Sequence, residues 1–159
     1  MTILHEGRLP VAETAPLTLN IPRSEIATLA RDSRFISAFL DELAVAVHDE
    51  NIAAGWWTDP ATGAQLDRNM GELLCLVHSE ISEGMEGYRK RLADDKLPQY
   101  PMLNVELGDA VIRILDIMGS RMRMGEVGLG EVVEAKRAFN RVREDHQKEA
   151  RLKANGKRF

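Results

Sequence analysis

Glu80 and Glu83 lie three residues apart in HSEISEGMEGYRKRL, and Glu106 and Asp109 repeat that spacing in NVELGDAVIRILD. On an α-helix this spacing puts both members of a pair on one face. The 22 residues between Glu83 and Glu106 include DDKLPQYP, enough to end one helix, turn and begin another running back beside it. The four carboxylates would then converge. At low dielectric such a cluster repels itself unless cations neutralise it, and hard ions such as Mg²⁺ or Mn²⁺ prefer oxygen ligands. The pattern predicts a metal site between two helices.

The elements that must position these acids are legible as helices. Phe35, Ile36, Phe39, Leu40, Leu43 and Val47 recur at steps of three and four, with Ser24 or Asp32 available as a cap. GWWTDPATGAQLD reads as a loop on its proline and glycines. A second long helix is expected over about 69–92, stopped by the two prolines of DDKLPQYP. A third is expected over about 102–124 and a fourth over about 130–153. Residues 1–23, with Pro10, Pro16 and Pro22, read as an arm, 24–153 as one all-α domain of four to five helices, and 154–159 as a basic tail.

Acidic pairs on helices are usually solvated surface. Here the surroundings argue otherwise. Leu73, Leu76 and Val77 precede Glu80 by seven, four and three residues, a core-facing position. Gly84 and Gly87 continue that face, and missing side chains beside a buried Glu suggest room for a ligand. Leu103, Leu107, Ala110, Val111, Ile114, Leu115, Ile117 and Met118 cover most of the third helix and predict burial on most sides. Through them runs the narrow stripe Glu106, Asp109, Arg113 and Asp116. Buried unpaired carboxylates cost several kcal/mol each, so they must meet cations. Arg113 can answer Asp109 as an i,i+4 partner but cannot neutralise them all, and Asp116 suits a supporting role.

Other metals fit less well. None of His5, His48, His78 or His146 follows a Glu by three residues, as a di-iron bundle requires, and one cysteine does not make a zinc site. His78 points away from Glu80 and reads as a packing histidine; Cys75, in an apolar run, reads as a buried thiol. Lys136, Asn140 and Arg143 follow at i, i+4 and i+7, a face suited to phosphate oxygens or to solvated pairing with Glu134 and Glu144. Trp56 and Trp57 could plug a core edge or stack on a base.

With 159 residues, 44% of them hydrophobic, the chain suits one domain. A single cysteine gives no intramolecular disulfide. No stretch approaches the roughly 20 apolar residues of a membrane span, and the opening residues lack a signal-peptide pattern, so a cytoplasmic protein is expected. A net charge of −4 argues against nucleic-acid or anionic-membrane partners, although bases gather between Lys136 and Arg158.

Taken together, NMGELLCLVHSEISEGMEGYRKRLADDKLP, VELGDAVIRILDI, KRAFNRVREDH and the closing GKRF resemble the MazG-like family of all-α nucleoside triphosphate pyrophosphohydrolases, especially its short phage-type members. The likeness spans about residues 69–159; one departure is Ser79, where many relatives carry a glutamate before Glu80. The resemblance implies Mg²⁺ or Mn²⁺ on Glu80, Glu83, Glu106 and Asp109, and triphosphate contacts from Lys136, Asn140 and Arg143. It also implies homodimers or homotetramers whose neighbouring helices complete the bundle and the site. Base recognition by Trp56 or Trp57, and a substrate contact from Lys157 in the tail, are expectations of the residues rather than of the family. The activity implied is (d)NTP + H₂O to (d)NMP and pyrophosphate. MazZ-like members cleave dGTP and GTP, so the expectation leans to a guanine nucleotide. A pyrimidine dNTP such as dUTP or dCTP, phosphoribosyl-ATP, or a non-catalytic helical scaffold are the alternatives.

Overall fold

The computed structural model of the chain describes residues 21–153, which form six α-helices and one 3₁₀ turn, with no strand among the described residues. The protein is all-α, and no described helix is long and apolar enough to cross a membrane. The arm expected over residues 1–23 and the tail with Lys157 lie almost wholly outside the described residues.

A short helix, α1 (Arg23–Leu29), precedes α2 (Ser33–Ala53). Asp32 caps α2, its carboxylate accepting from the N–H groups of Arg34 (2.9 Å) and Phe35 (3.2 Å). Asn69 does the same for α3 (Met70–Lys90), accepting from Glu72 N–H at 3.2 Å. Arg89 and Lys90 in its last turn face the negative end of the helix dipole. The DDKLPQYP turn is tied by Asp94, whose buried carboxylate accepts from the N–H groups of Lys96 (3.0 Å) and Leu97 (2.6 Å). Helix α4 (Met102–Arg123) then runs back along α3 and also packs on α2.

After Gly125, at φ +84°, the chain turns into α5 (Leu129–Val142), which packs on α2. The fourth long helix expected to reach residue 153 stops at Val142. Arg143 is extended and its guanidinium pairs with Asp145 at 2.5 and 2.8 Å, while Gln147 Nε2 donates to the carbonyls of Arg141 and Arg143. The Gln147 bonds satisfy backbone carbonyls that a continuing helix would have paired. A 3₁₀ turn (Glu144–His146) and the four-residue α6 (Lys148–Arg151) follow.

Helix α4 is therefore the central element, and its approach to α2 depends on Gly119. A Cβ there would overlap the Ala44 carbonyl and the His48 side chain. The core it helps to form is thin: Trp57, Leu73 and Ile117 pack together with partly buried Ile52, Met70 and Val77. The expectation that α4 is covered on most sides is corrected here. Leu107, Val111 and Ile114 stay exposed in the single chain, as do Leu74, Ile81, Met85 and Tyr88 of α3. Among the described residues the helical partners of α4 are α3 and α2, so apolar surface on its other faces stays exposed. Cys75, expected to be a buried thiol, and His78, expected to pack, are both exposed on α3, away from the face that meets α4.

Candidate metal centre

Antiparallel α3 and α4 bring Glu80, Glu83 and Glu106 together, with one carboxylate oxygen of each within 4.8 Å of the others. Glu80 and Glu106 are buried and Glu83 is exposed at the edge. The chain builds this closeness partly with glycine. At Gly84 a Cβ would touch Glu106 Cβ and Leu103, and at Gly87 it would collide with Met102. The space left by the two glycines is thus filled by α4 itself, which corrects the expectation that it holds a ligand. Their function is to let the acid-bearing helices approach.

Two features offset the mutual repulsion of the trio. Arg113, half-buried on α4, donates from Nε to Glu80 Oε1 at 2.6 Å. Sequence spacing had assigned Arg113 to Asp109; instead it reaches across to the more deeply buried acid, where desolvation makes a charged partner worth more. The second feature is a proton. Burial, a side-chain hydrogen bond to Glu80 and the charges of Glu83, Glu80 and Asp109 push the Glu106 carboxyl up to about 7. Near neutral pH a protonated Glu106 can therefore donate to Glu80.

Asp109 is not within the tight trio. It stands one turn beyond Glu106, close enough to act on its charge, and lines an adjoining cavity of about 350 Å³. Asn51, Trp56, Arg68, Arg113 and Asp116 line the same cavity. The two adjacent tryptophans sit differently. Trp57 is 5% exposed and belongs to the core, whereas Trp56 is 64% exposed at the cavity.

Asp116 has the supporting role expected of it. Its carboxylate accepts from Trp57 Nε1 at 2.9 and 3.2 Å and lies 2.7 Å from Nδ1 of buried His48. The imidazole and indole meet edge-on, with centroids 4.8 Å apart. This network ties the loop after α2 to α4. His48 and Asn51 were not singled out in the sequence, although they fall four and seven residues after Ala44 on the inward face of α2, where a polar residue needs a partner. Arg68 gave no sequence signal at all.

Lys136, Asn140 and Arg143 do not line this cavity. Lys136 lies over the Phe139 ring at 5.0 Å, Asn140 Oδ1 is buried without a hydrogen-bond partner, and Arg143 is bound to Asp145. All three sit on or just after α5, whose packing partner among the long helices is α2.

No family model matches this chain, and neither does any curated protein or solved structure.

Proposed function

We propose that the chain hydrolyses a (deoxy)nucleoside triphosphate to the monophosphate and pyrophosphate, as a MazG-like pyrophosphohydrolase, with a guanine nucleotide favoured over dUTP or dCTP. The observation that carries the reading is the convergence of Glu80, Glu83 and Glu106, with a cavity lined by their neighbours Asp109 and Arg113.

The trio fits Mg²⁺ or Mn²⁺. Octahedral Mg²⁺ with oxygens at about 2.1 Å holds them about 3 to 4 Å apart, so oxygens within 4.8 Å need only close slightly. Glu106 must release its proton and Glu80 must share its charge with an ion as well as with Arg113. Bound there, the metal would polarise phosphate oxygens and lower the pKa of the attacking water. Glu83, exposed at the edge of the cluster, is available to take a proton from that water. Attack at the α-phosphorus breaks its bond to the bridging oxygen, and pyrophosphate leaves with that oxygen. Arg113 lies where its guanidinium can meet the polyphosphate, and Asp109, one turn beyond Glu106, would act on it only through the same ion.

A homodimer or homotetramer belongs to this reading. The apolar faces of α3 and α4 are uncovered in one copy, and the cations expected to hold the triphosphate sit on α5, away from the cavity. A neighbouring copy would supply both.

The full-length protein with Mg²⁺ and single nucleotides, including phosphoribosyl-ATP, tests the chemistry through its products. Monophosphate and pyrophosphate in equal amounts are expected; orthophosphate without pyrophosphate rejects it. The competing reading is a scaffold, favoured by the fact that Arg113 and a proton already balance part of the cluster. Under that reading no nucleotide is turned over and Mg²⁺ does not raise the melting temperature.

A further inference from the structure

We propose that the cavity between the 55–68 loop and helices α3 and α4 is a nucleobase subsite, in which Trp56 is the stacking surface and Arg68 with Asn51 reads the edge of a guanine. This deepens the pyrophosphohydrolase reading and rests on it for the position of the phosphates.

The cavity shares two wall residues with the surroundings of the acidic cluster. Asp109, one wall, follows Glu106 by one helical turn, and Arg113, another, is the residue bonded to Glu80. A nucleotide whose phosphates lie at the carboxylates has this cavity within reach of its base. Its volume of about 350 Å³ falls in the range of about 300–1,000 Å³ typical of small-molecule clefts.

The unused chemistry of the walls selects the occupant. Trp56 keeps 64% of its surface exposed, and among the described residues no other ring packs on it. A large aromatic face at the mouth of a cleft suits stacking on a flat base. Trp57, directly beside it, is buried and fixed through Asp116, so the backbone that carries Trp56 is anchored. Arg68 adds a second tether: its Nη1 donates to the Trp56 carbonyl at 2.7 Å and its guanidinium lies 5.7 Å from the Trp57 ring centroid.

That tether uses one of five N–H donors, and among the described residues Arg68 has no carboxylate partner. Asp116, a carboxylate in the lining of the same cavity, is already engaged by His48 and Trp57. A fork of free donors calls for two adjacent acceptors. Guanine offers O6 and N7 side by side, adenine replaces O6 with an amino donor, and cytosine presents an amino donor. The half-buried Asn51 amide, with one donor end and one acceptor end, can take the remaining edge, including an N1–H that adenine lacks.

Two measurements on the full-length protein separate this inference from the hydrolytic reading. The first is binding of dGMP, dAMP, dCMP and dTMP, followed by calorimetry and without turnover. The second is kcat/KM for the four deoxynucleoside triphosphates with Mg²⁺. dGMP should bind most tightly. Trp56→Ala should weaken binding of every base about 5- to 100-fold, the range that loss of one stacked base contact gives, and Trp56→Phe should restore most of it. Arg68→Met and Asn51→Ala should each reduce the guanine-over-adenine ratio of kcat/KM about tenfold or more, with the loss falling mainly on dGTP. Helical circular dichroism and an unchanged melting point identify variants that still fold. Tight dGMP binding that depends on Trp56, without any pyrophosphate release, supports the subsite and rejects the hydrolysis. Pyrophosphate release whose base preference ignores Trp56, Arg68 and Asn51 overturns the subsite and leaves the hydrolysis standing. Absence of both overturns both.

Discussion

Glu106 makes the metal reading testable through pH. Its carboxyl stands at about 7 in the folded chain against an ordinary 4.5, chiefly because of burial and then its bond to Glu80. The folded protein therefore holds one more proton than the unfolded chain between those values. Stability from this group is fully present below pH 4.5 and is lost as pH rises through about 7. At about 1.4 kcal/mol per tenfold in proton affinity, the loss is at most about 3 kcal/mol over the whole span, and about 2 kcal/mol between pH 5.5 and 8. For a chain of this size that lowers the melting temperature by about 6 °C.

A divalent ion must displace the same proton, so its effect runs the other way. At a concentration 100 times its Kd at pH 8, Mg²⁺ or Mn²⁺ adds about 2.7 kcal/mol, or about 8 °C. At pH 6 the proton competes, the apparent Kd weakens about tenfold, and the gain falls to about 1.4 kcal/mol, or about 4 °C. Scanning calorimetry at the two pH values, with and without the ion, reads both trends. In Glu106→Gln both should flatten. A metal-induced shift of equal size at pH 6 and pH 8, or a pH trend that survives in Glu106→Gln, would refute the assignment.

Glu80→Gln and Asp109→Asn are each expected to abolish nucleotide turnover while leaving the helical circular-dichroism spectrum unchanged; full activity in either removes that residue from the site. Asp116→Asn weakens the anchor of Trp57 and His48 and should cost about 1–3 kcal/mol, measured by urea unfolding, because the half-buried group loses its charge and one of its two acceptor oxygens. Gly119→Ala should cost more, at least about 2 kcal/mol by the same assay, since the new methyl meets the Ala44 carbonyl at the α2–α4 crossing. Arg113→Met removes the cation bonded to Glu80, so the metal-free protein should melt lower while the gain from added Mg²⁺ grows.

The helices were readable because their signals are local. Asp32 and Asn69 cap where short polar residues precede apolar periodicity, and proline and glycine mark the turns. The spacing of Glu80, Glu83 and Glu106 likewise fixes them on facing helices once those helices pair. What sequence could not give depends on which side chain wins a partner in space. Arg113 had Asp109 within one turn and Glu80 across the helix pair, and burial decided for Glu80. Trp56 and Trp57 are identical in type and adjacent, yet only Trp57 finds Asp116 and the core. The end of α5 at Val142 depends on Gln147 and Asp145 capturing groups that helical periodicity alone would have kept in the helix.

One stripe of α4 joins these separate features. Glu106 shares a proton with Glu80, Asp109 faces the cavity three residues later, Arg113 reaches back to Glu80, and Asp116 anchors Trp57 and His48. Four successive polar positions thus serve the acidic centre, the cavity and the loop that bounds it. Because α4 is a single uninterrupted helix, these groups keep fixed separations along it, about 1.5 Å of rise per residue. The loop carrying Trp56 is consequently registered against the carboxylates through Asp116 rather than through its own contacts with solvent. Loosening Asp116 would displace the cavity wall relative to the acids even though no carboxylate of the trio is touched, and under the proposed function that is how a residue remote from the reacting phosphorus would set where a base is held.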